Sequence, residues 1–436
     1  MKILLVQSME YLYPWGGAHK ANRILMEGLA ARGHQCLVIT PSLNVRGYAE
    51  FLQTKVDSGE FDILEDQEDL FTIRQKAVTA HTVKGTFKVF PFLKSKIEQF
   101  QPDITIVSED NTHMLLETVL ETRVRTVFLA HSQATLPFGP ESFQEDSSKL
   151  GLYKQLHGIL SVSQYLKNYF WTYAGIDSKV IYFPSYGPSP FPYLGHFDNK
   201  YVTVINPSAI KGISIFIGLA RVMPHVAFAA VPTWATTDDE LDALRSIPNI
   251  TVLEPSENIN DIYKLTKVFL MPSLWGESFG QVVVEAMLRG IPVIASHVGG
   301  LPEAKLGLDY ILPVQPIKQY INESVLASKI PVPVIPEQDL EPWRLALSEL
   351  VDNRVHYDAL SMDSYDRSRD FHAQLGIEPF EIYLQELVDT TTQNISSIAP
   401  SSTDKATSKI METISNLSLE QRARLLTAIG ERRAKG

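Results

Sequence analysis

Glu277 and Glu285 stand eight residues apart in the stretch LWGESFGQVVVEAMLRGIPVIASHVGGLP, which runs from Leu274 to Pro302. An apolar run ends just before Glu277, and a helical pattern covers Gln281 to Arg289. The amides near Gly280 are therefore helix-start donors, suited to an anionic group. Glu285 falls more than one turn inside that helix, where a carboxylate can accept the paired hydroxyls of a ribose. Gly299-Gly300 follows a second strand, Val293–Ala295, and offers another cluster of bare amides. Taken singly, Glu277 reads more readily as a capping carboxylate and Glu285 as one solvated residue of an amphipathic helix. Their combination within one strand–turn–helix unit is far more specific.

The elements that must position these residues are α/β in character. Lys2–Gln7 is a short apolar strand, Gly16-Gly17 a turn, and Ala18–Ala31 a helix with Ala21, Ile24, Leu25 and Leu29 at helical spacing. Gly33 ends that helix before a strand at Gln35–Thr40. Strands follow at Ile104–Ser108, Thr126–Ala130, Ile159–Val162 and Val180–Phe183. Continuous apolar strands alternating with helices predict a parallel sheet covered on both faces. The rhythm restarts after the Pro/Gly-rich stretch 184–190, with strands at Tyr201–Ile205, Val226–Val231, Ile250–Leu253, Val268–Met271, Pro292–Ala295 and Tyr310–Leu312. Residues 315–340 read as a long surface excursion, and helices resume near Pro342 and run to Val388.

Composition narrows the function classes. The chain has 436 residues, 44% hydrophobic and 20% charged, with a formal net charge of −11. That balance disfavours sequence-specific binding to nucleic acid. The single cysteine, Cys36, lies in an apolar run and reads as a buried thiol. No run of 18 apolar residues occurs, which predicts a soluble cytoplasmic chain with no integral membrane span. The phosphate-loop, G-x-G-x-x-G, H-E-x-x-H and G-x-S-x-G patterns are all absent, as is any Cys/His quartet for zinc.

The segment Glu277-Ser-Phe-Gly-Gln-Val-Val-Val-Glu285-Ala resembles the E-x7-E motif of retaining GT-B glycosyltransferases, specifically glycosyltransferase family 4 (glycosyl transferases group 1). GIPVIAS followed by VGGLPE is similar to that family as well. The resemblance covers residues 1 to about 388 and excludes the tail. It implies a GT-B fold: two Rossmann-like, doubly wound α/β domains facing a cleft, here followed by a helical C-terminal tail. The expected division is an N-terminal acceptor domain at 1–190, completed by a helix at about 369–388, and a nucleotide-sugar domain at 191–368. A linker at 389–408 and a short helical tail at 409–436 follow.

Residue by residue, the resemblance implies that Glu285 binds the ribose hydroxyls and Glu277 those of the donor sugar. Ser278, Phe279 and Gly280 supply contacts to the sugar, together with Gly299 and Gly300. Lys211, in AIKG, matches the family's diphosphate-binding lysine. Gly16 and Gly17 would lie under the sugar and phosphates, where a side chain could not fit. His131, in FLAHSQ, matches a histidine near the sugar's outer hydroxyls; a strand-end imidazole bonded to backbone is the plainer account. Lys211, Glu277 and His131 form the expected catalytic set. One position departs from the pattern. Where the family usually carries an arginine, four or five residues before the lysine, this chain has Asn206 and Pro207, so Asn206 joins the donor-binding set in its place.

The implied reaction is glycosyl transfer with retention of configuration, from a nucleoside-diphosphate sugar, with no cofactor and no metal. Base, sugar and acceptor are unreadable, although N-domain loops near 109–113 and 135–143 and the aromatics Tyr11, Tyr13, Trp15 and Phe138 are candidates for the acceptor side. A sugar-nucleotide epimerase of the same fold and a turnover-deficient glycosyltransferase-like binding protein are the competing readings. Residues 401–436 carry seven Lys/Arg against four Asp/Glu. Ile410, Ile414 and Leu417 fit one helical face, and Ser418 with Gln421 resembles a capping box opening a second helix. LSLEQRARLL resembles helical segments at the ends of peptide- and polyketide-synthase modules, which implies a protein partner and a tailoring step on a natural product.

Overall fold

A computed structural model describes residues 1–12, 16–42, 48–85, 87–108, 110–321 and 332–394. Tyr13, Trp15, Glu109 and the predicted tail helices lie outside the described residues. The chain forms two compact units: Met1–Phe183 with the chain from Gly376 onward, and Pro184–Leu375.

The first unit runs β1 (Lys2–Gln7), α1 (Gly17–Ala31), β2 (Gln35–Pro41), α2 (Tyr48–Asp57), β3 (Asp62–Asp66), β4 (Leu70–Gln75), β5 (Val78–Val83), α3 (Val89–Phe100), β6 (Ile104–Ser108) and α4 (Met114–Glu121). It continues with β7 (Thr126–Ala130), α5 (Leu150–Tyr153), β8 (Gly158–Ser161), α6 (Gln164–Ala174) and β9 (Lys179–Val180). Its nine strands are ordered β3-β4-β5-β2-β1-β6-β7-β8-β9. The run from β5 to β9 is parallel; the unbroken apolar strands predicted it from β2 to β9, and β5 was not expected. The antiparallel additions β3 and β4 were not expected. β3 (DILED) is acidic and mostly exposed, so no apolar run marks it, while β4 (LFTIRQ) and β5 (VTAHTV) interrupt their apolar residues with buried polar ones, Thr72, Gln75 and His81.

The second unit runs β10 (Tyr201–Ile205), α7 (Ile213–Val222), β11 (Phe228–Val231), α8 (Asp238–Arg245), β12 (Ile250–Val252), α9 (Asn260–Tyr263), β13 (Thr266–Met271) and α10 (Gln281–Met287). After these come β14 (Val293–Ser296), α11 (Leu301–Ala304), β15 (Ile311–Leu312), the short pair β16 (Tyr320–Ile321) and β17 (Val332–Pro333), α12 (Glu341–Asp352) and α13 (Arg354–His372). Six parallel strands take the order β12-β11-β10-β13-β14-β15. This is the doubly wound arrangement, with its topological switch at β10, where ligands gather at the carboxyl ends of the strands.

The division differs from the expected one in three places. The first unit ends at Phe183 rather than 190, so the Pro/Gly-rich stretch belongs to the second. Residues 369–375 also stay with the second unit: Phe371 stacks on Phe279 and His372 bonds the Gly187 carbonyl at 3.1 Å. The helix that returns to the first unit is α14 (Glu378–Asn394). Its Phe380 packs on Phe183, and Glu381 binds Arg32 at 2.5 Å and His34 at 2.7 Å. A Cβ on Gly28 would come within 2.4 Å of Ile377, so α1 must be bare there for the returning chain to seat. Finally, α14 runs six residues into the predicted linker. Among the described residues no helix is long and apolar enough to cross a membrane.

Candidate functional site

Glu277 is the centre of the constellation in the second unit. It is 8% exposed, on the loop leaving β13, and its Oε1 accepts three donors: Lys211 Nζ at 2.5 Å, Ser273 Oγ at 2.5 Å and Trp275 Nε1 at 2.8 Å. Lys211 also lies over the Trp275 ring, 4.8 Å from its centroid. Two residues expected in separate roles are thus an ion pair. The sequence reading missed Ser273 and Trp275. They sit in the same loop, but nothing in their spacing distinguishes them from packing residues.

The glycines make this approach possible. Gly212, the N-cap of α7 at φ +75°, holds Lys211 against β13's loop so closely that a Cβ would fall 1.9 Å from the Pro272 carbonyl oxygen. Gly299 and Gly300 lie directly on the Glu277 loop: a Cβ on Gly299 would meet Glu277 O at 2.2 Å, and one on Gly300 would meet Phe279 Cα at 2.7 Å. The Gly300 amide donates to the Glu277 carbonyl at 2.6 Å. That amide was expected to be bare, and it is spent on shaping the loop. Phe279 is buried against Phe371, so what it can offer a ligand is backbone. Gly280 caps α10 in the left-handed region, at φ +98°, placing Ser278 and Gly280 at the helix start.

Glu285 lies on α10 as expected, half-buried, with Tyr263 Oη donating to its Oε2 at 3.4 Å. Burial, reinforced by this carboxylate, pushes the phenols of Tyr263 and Tyr186 up. Both tyrosines were missed. Asn206 ends β10 in the left-handed region at φ 61°, which asparagine tolerates. Its Oδ1 accepts the Ala235 amide at 3.1 Å, so the side chain braces the neighbouring loop instead of standing in for a phosphate-binding cation.

In the first unit, a buried polar chain ends at His131. Gln7 Nε2 donates to the Met9 carbonyl at 2.9 Å; Asn22 Nδ2 donates to Gln7 Oε1 at 2.9 Å and to Ser108 Oγ at 3.1 Å. Because a backbone carbonyl can only accept, it fixes the sense of every bond that follows. Asn22 Oδ1 must then accept from His131 Nε2, 2.7 Å away. The ring carries its proton on Nε2 and presents Nδ1 as its acceptor. Burial, with a smaller push from His19, holds the His131 imidazole down at about 3. Gly16 and Gly17 are exposed at the start of α1, whose first-turn amides have no acceptor within the helix.

The expected acceptor-side residues are mostly structural. Tyr11 is 2% exposed, and Phe138 packs edge-on against Tyr153 and Phe170. Buried Asp110 takes the Leu116 amide at 2.9 Å, and buried His113 meets the Tyr153 hydroxyl at 3.1 Å. Among the described residues, no group of three His, Cys, Asp or Glu is placed to hold a metal ion.

Two family models match the chain: Glycosyltransferase Family 4 over residues 15–184 and Glycosyl transferases group 1 over residues 207–321. The D-inositol 3-phosphate glycosyltransferase of Corynebacterium diphtheriae is 30% identical over 118 residues, 25% of this chain and 27% of that protein. The chain thus aligns with about a quarter of that relative's length. Among solved structures, a glycosyltransferase from Rickettsia africae superposes with a TM-score of 0.61 at 12% identity, covering 89% of this chain and 98% of the other. HepE of Anabaena in complex with UDP-glucose gives 0.60 at 15% identity, covering 90% and 100%. These likenesses are of fold, and the fold is GT-B.

Proposed function

We propose that this chain, which belongs to glycosyltransferase family 4, moves a glycosyl group from a nucleoside-diphosphate sugar to an acceptor with retention of configuration. The observation that carries the reading is the three-donor grip on Glu277 that brings Lys211 to the switch point of the second sheet. As the bond from the sugar's anomeric carbon to the diphosphate breaks, negative charge grows on the phosphate oxygens. Lys211 meets that charge, aided by the helix-start amides at Gly280. Groups fixed in place before the reaction are usually the largest electrostatic contribution to catalysis. Glu277 accepts from the donor sugar's hydroxyls and Glu285 from those of the ribose.

No side chain of this set is a nucleophile toward the sugar. The acceptor oxygen attacks the face the diphosphate leaves, and its proton passes to the departing phosphate. His131, neutral, contributes its Nδ1 lone pair as a hydrogen-bond acceptor near the sugar. The leaving-group charge is assigned to Lys211 and backbone amides, without a metal ion. The test is release of nucleoside diphosphate from a panel of nucleotide-sugars, with and without candidate acceptors, and NMR of the product's anomeric proton. Conversion of the donor in the absence of any acceptor would favour an epimerase. No release with any donor would leave only a binding role.

The acceptor is assigned to an intermediate of a natural-product pathway held by a partner protein, on the resemblance of LSLEQRARLL, residues 417–426, to synthase-end segments. Deleting residues 401–436 should leave donor affinity unchanged and lower turnover of the partner-bound acceptor. Equal turnover by both forms would remove the partner.

A further inference from the structure

Trp234 lies 50% exposed in the loop that leaves β11. Among the described residues none stacks on its indole or hydrogen-bonds to it. An isolated exposed aromatic is ordinary. What sets this one apart is the bracing of the short loop that carries it. Asn206 Oδ1 accepts the Ala235 amide at 3.1 Å, the Thr236 amide donates to the Thr233 carbonyl at 3.2 Å, and Thr237 opens α8 with a capping box closed by Glu240. The same Glu240 carboxylate reaches back: Oε2 takes the Thr237 amide at 2.8 Å and Oε1 takes the Ala209 amide at 2.6 Å. The loop bearing Trp234 and the loop bearing Lys211 are therefore tied to each other twice, once through Asn206 and once through Glu240.

Register fixes where the loop carrying the indole emerges. Ile205 pairs with Val231, so β10 and β11 end level, and their loops emerge side by side about 5 Å apart at the carboxyl edge of the sheet. Lys211 is the cation of one loop and Trp234 the aromatic of the next. A diphosphate held at Lys211 has its nucleoside next to it, and the base is the part of that ligand with a flat π face on both sides. Stacking on an indole suits any base and needs no hydrogen-bond pattern. We propose that Trp234 is a donor-contacting residue that stacks on the nucleobase, and that Asn206, at the family's arginine position, serves to hold that platform in place. The inference rests on the nucleotide-sugar reading above.

The experiment is calorimetric titration of the full chain with UDP, GDP, ADP, CDP and TDP, then of Trp234→Ala and Trp234→Phe with whichever nucleotide the parent binds best. Expected is a roughly ten- to hundred-fold rise in Kd for Trp234→Ala, mostly restored in Trp234→Phe, with pyrophosphate affinity and melting temperature as in the parent. Unchanged nucleotide affinity in Trp234→Ala overturns the proposal. So does an equal loss for pyrophosphate, which would mean that the Lys211 loop has shifted. A loss confined to the nucleotide-sugar would put the indole against the sugar and overturn base stacking. If the parent binds pyrophosphate or donors but Trp234→Ala matches it, only this inference fails. If the parent binds none of the five nucleotides, the donor reading fails and takes this inference with it.

Discussion

Lys211 Nζ lies 2.5 Å from Glu277 Oε1, and both side chains are about nine-tenths withdrawn from solvent. A phosphate that binds Lys211 must share it with, or take it from, Glu277. The carboxylate therefore both positions the ammonium group and sets how tightly a diphosphate is held. Glu277→Gln removes the competing charge while keeping a group of the same shape for Ser273 and Trp275. It should bind nucleoside diphosphate at least as tightly as the parent while losing affinity for the nucleotide-sugar. Equal losses for both ligands, measured by calorimetry, would place Glu277 away from the sugar.

Lys211→Ala removes the cation from the same pair. Phosphate charge is greater in the transition state than in the bound donor, so turnover should fall more than donor affinity. It also leaves Glu277 buried without its counter-charge, an arrangement that costs about 3–5 kcal/mol when one partner of a buried pair is removed. A lower melting temperature should accompany the lost rate. An unchanged rate at saturating donor would remove Lys211 from the mechanism.

Glu285→Ala should weaken nucleoside-diphosphate binding by about 1.5–3 kcal/mol, the worth of hydrogen bonds to a charged acceptor. Among the described residues its carboxylate is held only by the long Tyr263 contact, so little in the described fold depends on it. Tyr263→Phe should accordingly change donor affinity far less than Glu285→Ala. Equal affinity of Glu285→Ala and parent would refute the ribose assignment.

The sequence exposed the frame of this site more fully than its grip. Apolar strands separated by helices identify the parallel sheets because a doubly covered strand must be apolar throughout. The loops at the carboxyl ends follow from that: Lys211 follows β10, Glu277 follows β13, and Glu285 lies on the helix that its pattern predicts. The partners that hold them were illegible for a physical reason. Ser273, Trp275 and Tyr263 come together only through tertiary packing, and no local period or cap records it. Gln7 and Asn22 carried a faint signal, Gln7 as the polar end of an apolar strand and Asn22 as a polar side chain on the apolar face of α1; both are fully buried. Asn206 was read through what it replaces. Its bond to Ala235 crosses between two loops 29 residues apart, which no inspection of one motif can anticipate.

His131 supplies a pH test. Burial holds it at about 3, and burial likewise holds His81 and His113 at about 4. An unfolded histidine takes up its proton near 6.5. Between these limits the unfolded chain binds more protons, so stability is fully present above about 6.5 and is lost as pH falls towards 3. His131→Gln should flatten the acid limb of melting temperature against pH by one proton's share, the other titrating groups being common to both proteins. In NMR the His131 ring should show no titration between pH 8 and 5. An observed midpoint within that range would overturn both the neutral tautomer and its role as an acceptor.

Lys305 carries the opposite end of the pH range. It is fully buried at the end of α11, with Nζ donating to the Val293 carbonyl at 2.6 Å, and burial lowers it to about 7 against a modest opposing pull from Asp309. The unfolded lysine keeps its proton to about 10.4. From about pH 7 to that point the unfolded state holds a proton that the folded state has released, so stability rises with pH and falls again as pH drops back through 7. One proton corresponds to about 1.4 kcal/mol per pH unit in the middle of that window. Lys305→Met fills the same space without a titrating group. Its melting temperature should change less than the parent's between pH 7 and 9.5, and should exceed the parent's most at pH 7. The other ionisable groups are common to both proteins and cancel in the comparison. Parallel curves would mean that the ammonium group finds enough compensation from the Val293 carbonyl and Asp309 to stay charged inside the fold.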